Sequence, residues 1–150
     1  MRITSHLTAA IAVLMVSAPA WAALGGSAAS VQDDRAHLQG TLRTTAAQMY
    51  TVNEIQTQSG TRVREYVSSE GTVFAVSWRG PWPPDMRQLL GNYYQQFAHA
   101  AQNSPRAGRR PLVIEQDGFV LQFAGHPRAF MGKAYIPQMM PQGVRAEDIQ

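Results

Sequence analysis

YTVNEIQTQSGTRVREYVSSEGTVFAVSWRGPWPPDMRQLLGNYYQQFAHAAQ, residues 50–102, carries three extended segments, two glycine turns, a proline-rich stop and an amphipathic helix in unbroken succession. Gln58-Ser59-Gly60 and Ser69-Glu70-Gly71 each put Gly third in a three-residue loop, where a type I turn and a left-handed residue close a hairpin. Those loops predict Gln56, Glu54 and Val52 opposite Arg62, Arg64 and Tyr66, then Tyr66, Arg64 and Arg62 opposite Phe74, Val76 and Trp78. A shorter Ser59-Gly60 loop would set Glu54 against Glu65, and directly opposed like charges are unfavourable. The expected bulky face therefore holds Val52, Tyr66, Phe74, Val76 and Trp78. The other holds Ile55, Val63, Val67, Val73 and Ala75, interrupted by Glu65.

Gly80-Pro81-Trp82-Pro83-Pro84 ends the third strand, because three prolines remove three backbone donors. Beyond Asp85, the apolar residues Met86, Leu89, Leu90, Tyr93, Tyr94, Phe97 and Ala101 recur at steps of three and four, the spacing of a helix with one face on a core. Tyr66 and Phe74 are expected to pack beneath Leu90, Tyr93 and Phe97 of that helix.

Outward from this stretch, Ser30 and Asp33 resemble a capping box, and Val31, Leu38 and Leu42 share a face of a short N-terminal helix that Gly40 weakens. Residues 103–111 form a basic loop by composition. Leu112 to Gln116 and Phe119 to Phe123 flank Asp117-Gly118, which suits a two-residue hairpin turn and sets Ile114 opposite Leu121. Arg128 to Ile136 reads as a last strand, followed by a turn near Met139-Met140 and one helical turn at Ala146 to Ile149. The fold class expected is α+β: an antiparallel sheet of two three-strand meander units packed against one long amphipathic helix, with a short N-terminal helix.

The start of the chain has Arg2, an apolar run from Leu7 to Val16, and Ala20-Trp21-Ala22, which together read as a signal peptide over residues 1–22 with cleavage after Ala22. The run is shorter than the roughly 20 residues needed to span a bilayer, so no transmembrane segment is expected after cleavage. Residues 23–150 then form a single exported domain, periplasmic or secreted. With no cysteine, that domain is held by its core alone. A net charge of +3 is too mild to imply nucleic acid.

Leu24-Gly25-Gly26, Arg64-Glu65-Tyr66-Val67, Val73-Phe74, Trp78 with Gly80-Pro81, Asp85 with Leu89-Leu90-Gly91, Gly125-His126, Ala129-Phe130, Ala134-Tyr135 and Gly143-Val144 occur in an order and spacing that resemble a bacterial exported family catalogued as domain of unknown function 2844. The resemblance implies a small exported domain and carries over no catalytic residue.

The sequence shows no closely spaced metal ligands of the kind zinc requires, since His37, His99 and His126 stand singly. It also shows no serine-hydrolase elbow. No metal or cofactor is expected. Glu54 and Glu65 are the one carboxylate pair placeable on neighbouring strands, but they point to opposite faces, and Glu54 is expected to pair with Arg64. His126 is either a loop base or a turn histidine satisfied by backbone. Trp82 is either an exposed aromatic contact for glycan or peptide, or a cap over helix and sheet. Arg106, Arg109 and Arg110 form a solvated cluster or a weak contact with anionic surfaces. These residues predict a non-enzymatic binding or assembly domain outside the cytoplasm, its partner a protein or envelope component. The alternative is an extracytoplasmic hydrolase using residues near His126.

Overall fold

A computed structural model describes residues 24–104, 111–116 and 118–150. Residues 1–22, expected to be a signal peptide, Arg106, Arg109 and Arg110 of the basic loop, and Asp117 of the hairpin turn lie outside the described residues. Seven strands form one antiparallel sheet: β1 Thr41–Ala46, β2 Tyr50–Gln56, β3 Arg62–Ser68, β4 Val73–Gly80, β5 Leu112–Gln116, β6 Phe119–His126 and β7 Ala129–Tyr135. Their order is β1-β2-β3-β4-β7-β6-β5. Three helices accompany them: α1 Val31–His37, α2 Met86–Leu90 and α3 Tyr94–Asn103. Among the described residues, no helix is long and apolar enough to cross a membrane.

The α+β class holds, with differences in detail. The first meander has four strands rather than three, and pairing of β4 with β7 joins it to the β5–β6–β7 meander as a single sheet. Leu42, expected on the N-terminal helix, lies in β1 instead. The helix stops at His37, and a Cβ at Gly40 would stand 2.5 Å from the Ile55 side chain, so only Gly lets the chain turn this close to β2. The long helix is also divided. Gly91, at φ 50 and ψ −119, starts a 3-10 turn over Gly91–Tyr93 between α2 and α3. Asp85 caps α2, its Oδ1 accepting from the Arg87 N–H at 2.9 Å and the Gln88 N–H at 3.2 Å.

The first hairpin has the expected register, with Val52 opposite Tyr66 and Glu54 opposite Arg64. The β5–β6 hairpin likewise pairs Ile114 with Leu121. The β3–β4 register is as expected only next to its turn, where Val67 faces Val73. There the pairing shifts, leaving Phe74 as an extra residue, so that Tyr66 faces Ala75, Arg64 faces Ser77 and Arg62 faces Arg79. A bulge of this kind inserts one residue and transfers everything beyond it to the opposite face.

Phe74 still shares a face with Tyr66, their rings 6.2 Å apart, but Val76 and Trp78 move to the other side. The helices cover that other side. Leu89, Leu90, Tyr93 and Phe97 pack over Val63, Val76, Trp78, Phe119 and Leu121. Tyr66 and Phe74 therefore do not lie beneath the long helix. They sit on the opposite face, in a second cluster with Ala75 and Ile149, joined by Met140 and Val144. The segment after β7 is the cover. It is pinned where the Gln150 main-chain oxygen accepts from Tyr66 Oη at 2.7 Å, Ser77 Oγ at 2.8 Å and Arg64 Nη1 at 2.9 Å.

Docking of this tail has a measurable cost when undone. Ile149 is fully buried, so Ile149→Ala should destabilise the domain by about 2–5 kcal/mol in denaturant melts. A loss below about 0.5 kcal/mol would mean that the tail frays and leaves Phe74 uncovered.

Candidate functional site

The structure brings two of the sequence candidates to one end of the sheet. Gly80, the last residue of β4, faces Phe130, and His126, the last residue of β6, faces Ala129. The proline corner packs against the β2–β3 turn, where Thr61 Oγ1 donates to the Trp82 carbonyl at 2.7 Å. Trp82 is 59 % exposed, so it does not cap helix and sheet. His126 is also exposed, and its Nδ1 lies 3.4 Å from the Pro127 carbonyl. Among the described residues it has no hydrogen bond to an acid or hydroxyl, and no group of three or more His, Asp or Glu side chains is placed to hold a metal.

A concavity lies near these residues, on the sheet face away from the helices. The shifted register sets Arg62, Arg79, Met131 and Ala124 side by side on β3, β4, β7 and β6. A second row runs Arg64, Ser77, Lys133, Gln122 and Val113. All of these but Val113, which flanks it, line an open groove of about 490 Å³ that Ile149 and Gln150 of the tail also border, with no Asp or Glu in its wall among the described residues. Glu54 stands just outside. It receives Arg64 Nε at 2.8 Å and reaches Arg62 Nε at 3.5 Å, so the expected Glu54–Arg64 pair is present. Arg79 is exposed and has no acidic partner among the described residues. Lys133 Nζ donates to the Ala146 carbonyl at 2.6 Å, which leaves two of its three donors.

Beneath the other face is a buried acid pair. Glu65 of β3 and Asp34 of α1 are each 1 % exposed, and Gln88 Nε2 of α2 donates to Asp34 Oδ1. Among the described residues, no other N–H or O–H satisfies Asp34 Oδ2 or either Glu65 oxygen. A carboxyl as strongly raised as that of Glu65 keeps its proton at neutral pH and so has an O–H to offer Asp34. Burial pushes the Glu65 carboxyl up to about 10, with the bond to Asp34 and its charge adding to the effect. Burial also raises Asp34, while His37 opposes that rise and Asp33 adds to it. Asn53 lies opposite Glu65 in the sheet but is engaged by Thr44 Oγ1 at 2.8 Å. The pair ties α1 and α2 to the sheet and opens onto neither groove nor solvent, so it is a structural device rather than a catalytic dyad.

This pair was missed in the sequence. Its signal was Glu65 in the middle of an otherwise apolar alternation, which demands a buried partner, but nothing in the sequence nominates Asp34, 31 positions away.

The family model described as "Protein of unknown function (DUF2844)" matches residues 20–149. The chain belongs to this family. No curated protein and no solved structure matches it. The DUF2844 domain thus combines a cationic groove on one sheet face, in which Arg79 has no acidic partner among the described residues, with a buried Glu65–Asp34 pair under the other.

The folded pKa of Glu65 lies above its ordinary 4.5, so the folded state keeps the proton towards pH 10, and the stability it contributes is fully present below pH 4.5 and is lost as pH rises through 10. Stability should fall across that window, by up to about 1.4 kcal/mol per pH unit. Glu65→Gln keeps a donor for Asp34 without a titrating proton, so in melts from pH 5 to 9 its stability relative to wild type should climb. Parallel pH profiles would contradict a retained proton.

Proposed function

We propose that this domain is a non-enzymatic binding module acting outside the cytoplasm, and that the groove over β3, β4, β7 and β6 is its contact surface. The observation carrying this reading is Arg62 directly opposite Arg79. Like charges so placed weaken a sheet, and such local conflicts concentrate where a chain is built to meet something else. The two carboxyls on neighbouring strands do not face a common cleft: Glu54 is engaged by Arg64, and Glu65 is buried with Asp34 on the other face. Among the described residues, His126 has no hydrogen-bonded acid or nucleophile of the kind a hydrolytic reading requires. The partner is a component of the bacterial envelope, met in the periplasm or beyond it.

Two measurements test this. The exported protein should have the intact mass of a chain beginning at Ala23, given the apolar run and Ala-x-Ala pattern. A species retaining Leu14 would make the segment an anchor. A photo-crosslinking residue at the exposed Met131 should form an adduct with an envelope component, and Arg79→Glu in the same chain should abolish it. Equal labelling from Gln95, exposed on α3, or no labelling from Met131, would remove the groove as the contact surface.

A further inference from the structure

We infer that the groove takes single-chain anionic amphiphiles, the anionic head on Arg62 and Arg79 and the apolar chain laid over Met131, Ala124 and Pro111. This rests on the groove being the binding surface and specifies its ligand.

The cationic end is built for an acid. Arg62 and Arg79 face each other across β3 and β4, and Glu54, the nearby acid, is committed to Arg64 at 2.8 Å while reaching Arg62 only at 3.5 Å. Two guanidinium forks side by side match the oxygens of a carboxylate or phosphate, and an anion between them relieves the like-charge opposition. Lys133, one row away, adds two unused donors.

Crossing the sheet changes the lining. From β4 over β7 and β6 to β5 the wall becomes Met131, Ala124 and Pro111, with Val113 flanking on the same face. Met131 is 43 % exposed and Val113 54 % exposed, although neighbours on these strands pack inward. The crossing covers three strand spacings, about 14 Å, enough for a hydrocarbon chain. Methionine adapts its shape to such a chain.

The gradient selects among ligands. A small inorganic anion would use only the arginine end. An acidic peptide would leave Met131 and Val113 uncovered, and a neutral lipid would leave the arginine pair uncompensated. A volume of about 490 Å³ is in the range of small-ligand sites.

The test is calorimetric titration of the folded protein with dodecyl phosphate and with dodecanoate, both below micelle-forming concentrations. Inorganic phosphate, dodecyl maltoside and a glutamate-rich peptide are titrated in parallel. Both anionic amphiphiles should bind at one site, more tightly than any of the three comparators. The Arg62→Gln/Arg79→Gln variant, altered at two exposed positions, should bind dodecyl phosphate at least about tenfold more weakly, with a melting temperature no lower than that of wild type because the like-charge opposition is gone. Met131→Ser should weaken it about fivefold and leave phosphate binding as it was. Phosphate binding as well as dodecyl phosphate, dodecyl maltoside binding equally, the peptide binding more tightly, or the arginine variant binding like wild type would each overturn the inference. If no amphiphile binds while Met131 still crosslinks to an envelope component, the ligand class is wrong and the groove remains the contact surface. Loss of both would remove the groove altogether.

Discussion

The extra residue Phe74 at the start of β4 sets the character of both sheet faces. Without it, Val76 and Trp78 would stand beside Arg64 and Arg62, and the helices would have no large aromatic to pack on at the centre of the sheet. With it, Val76 and Trp78 join Val63 and Leu121 beneath α2 and α3, while Ala75, Ser77 and Arg79 take the opposite side. The bulge keeps Phe74 itself with Tyr66, giving the tail an aromatic platform on which Ile149 is buried. One inserted residue thereby produces the core, the second hydrophobic cluster and the opposition of Arg62 and Arg79.

A second constraint follows from the same face assignment. Glu65 points into the helix-covered core, where an ionised carboxylate is costly to bury. Keeping its proton removes that cost, and the amide of Gln88 holds Asp34 in place. The acid pair spans three elements, α1, β3 and α2, and fixes both helical segments over the sheet. The face left open is then free to carry charge without competing for the core.

The local parts of this fold are legible in the sequence where short-range chemistry sets them. Gly60 and Gly71 mark their turns, the prolines from Pro81 to Pro84 stop β4, and the alternation around Ile114 and Leu121 sets the last hairpin. Legibility ends where a choice depends on distant contacts. A bulge has no composition of its own, and Phe74 reads as an ordinary strand residue until Tyr66 and the tail are known. Gly40 likewise signals a break, but only contact with Ile55 shows that the chain beyond it becomes a strand. For the site, the sequence leaves Trp82 open between an exposed contact and a cap, and its exposure and its place near His126 at one end of the sheet are visible only in the fold. The groove was hidden because its four cations come from three strands, and their alignment depends on the same shifted register.

The most direct measurement is of that register, by cross-strand backbone nuclear Overhauser effects between β3 and β4 in solution. The account predicts contacts joining Arg62 to Arg79, Arg64 to Ser77 and Tyr66 to Ala75, with Val67 joined to Val73 on the other side of the bulge. Contacts joining Arg62 to Trp78 and Arg64 to Val76 would contradict it, since they would return the bulky residues to the open face and dissolve the cationic groove.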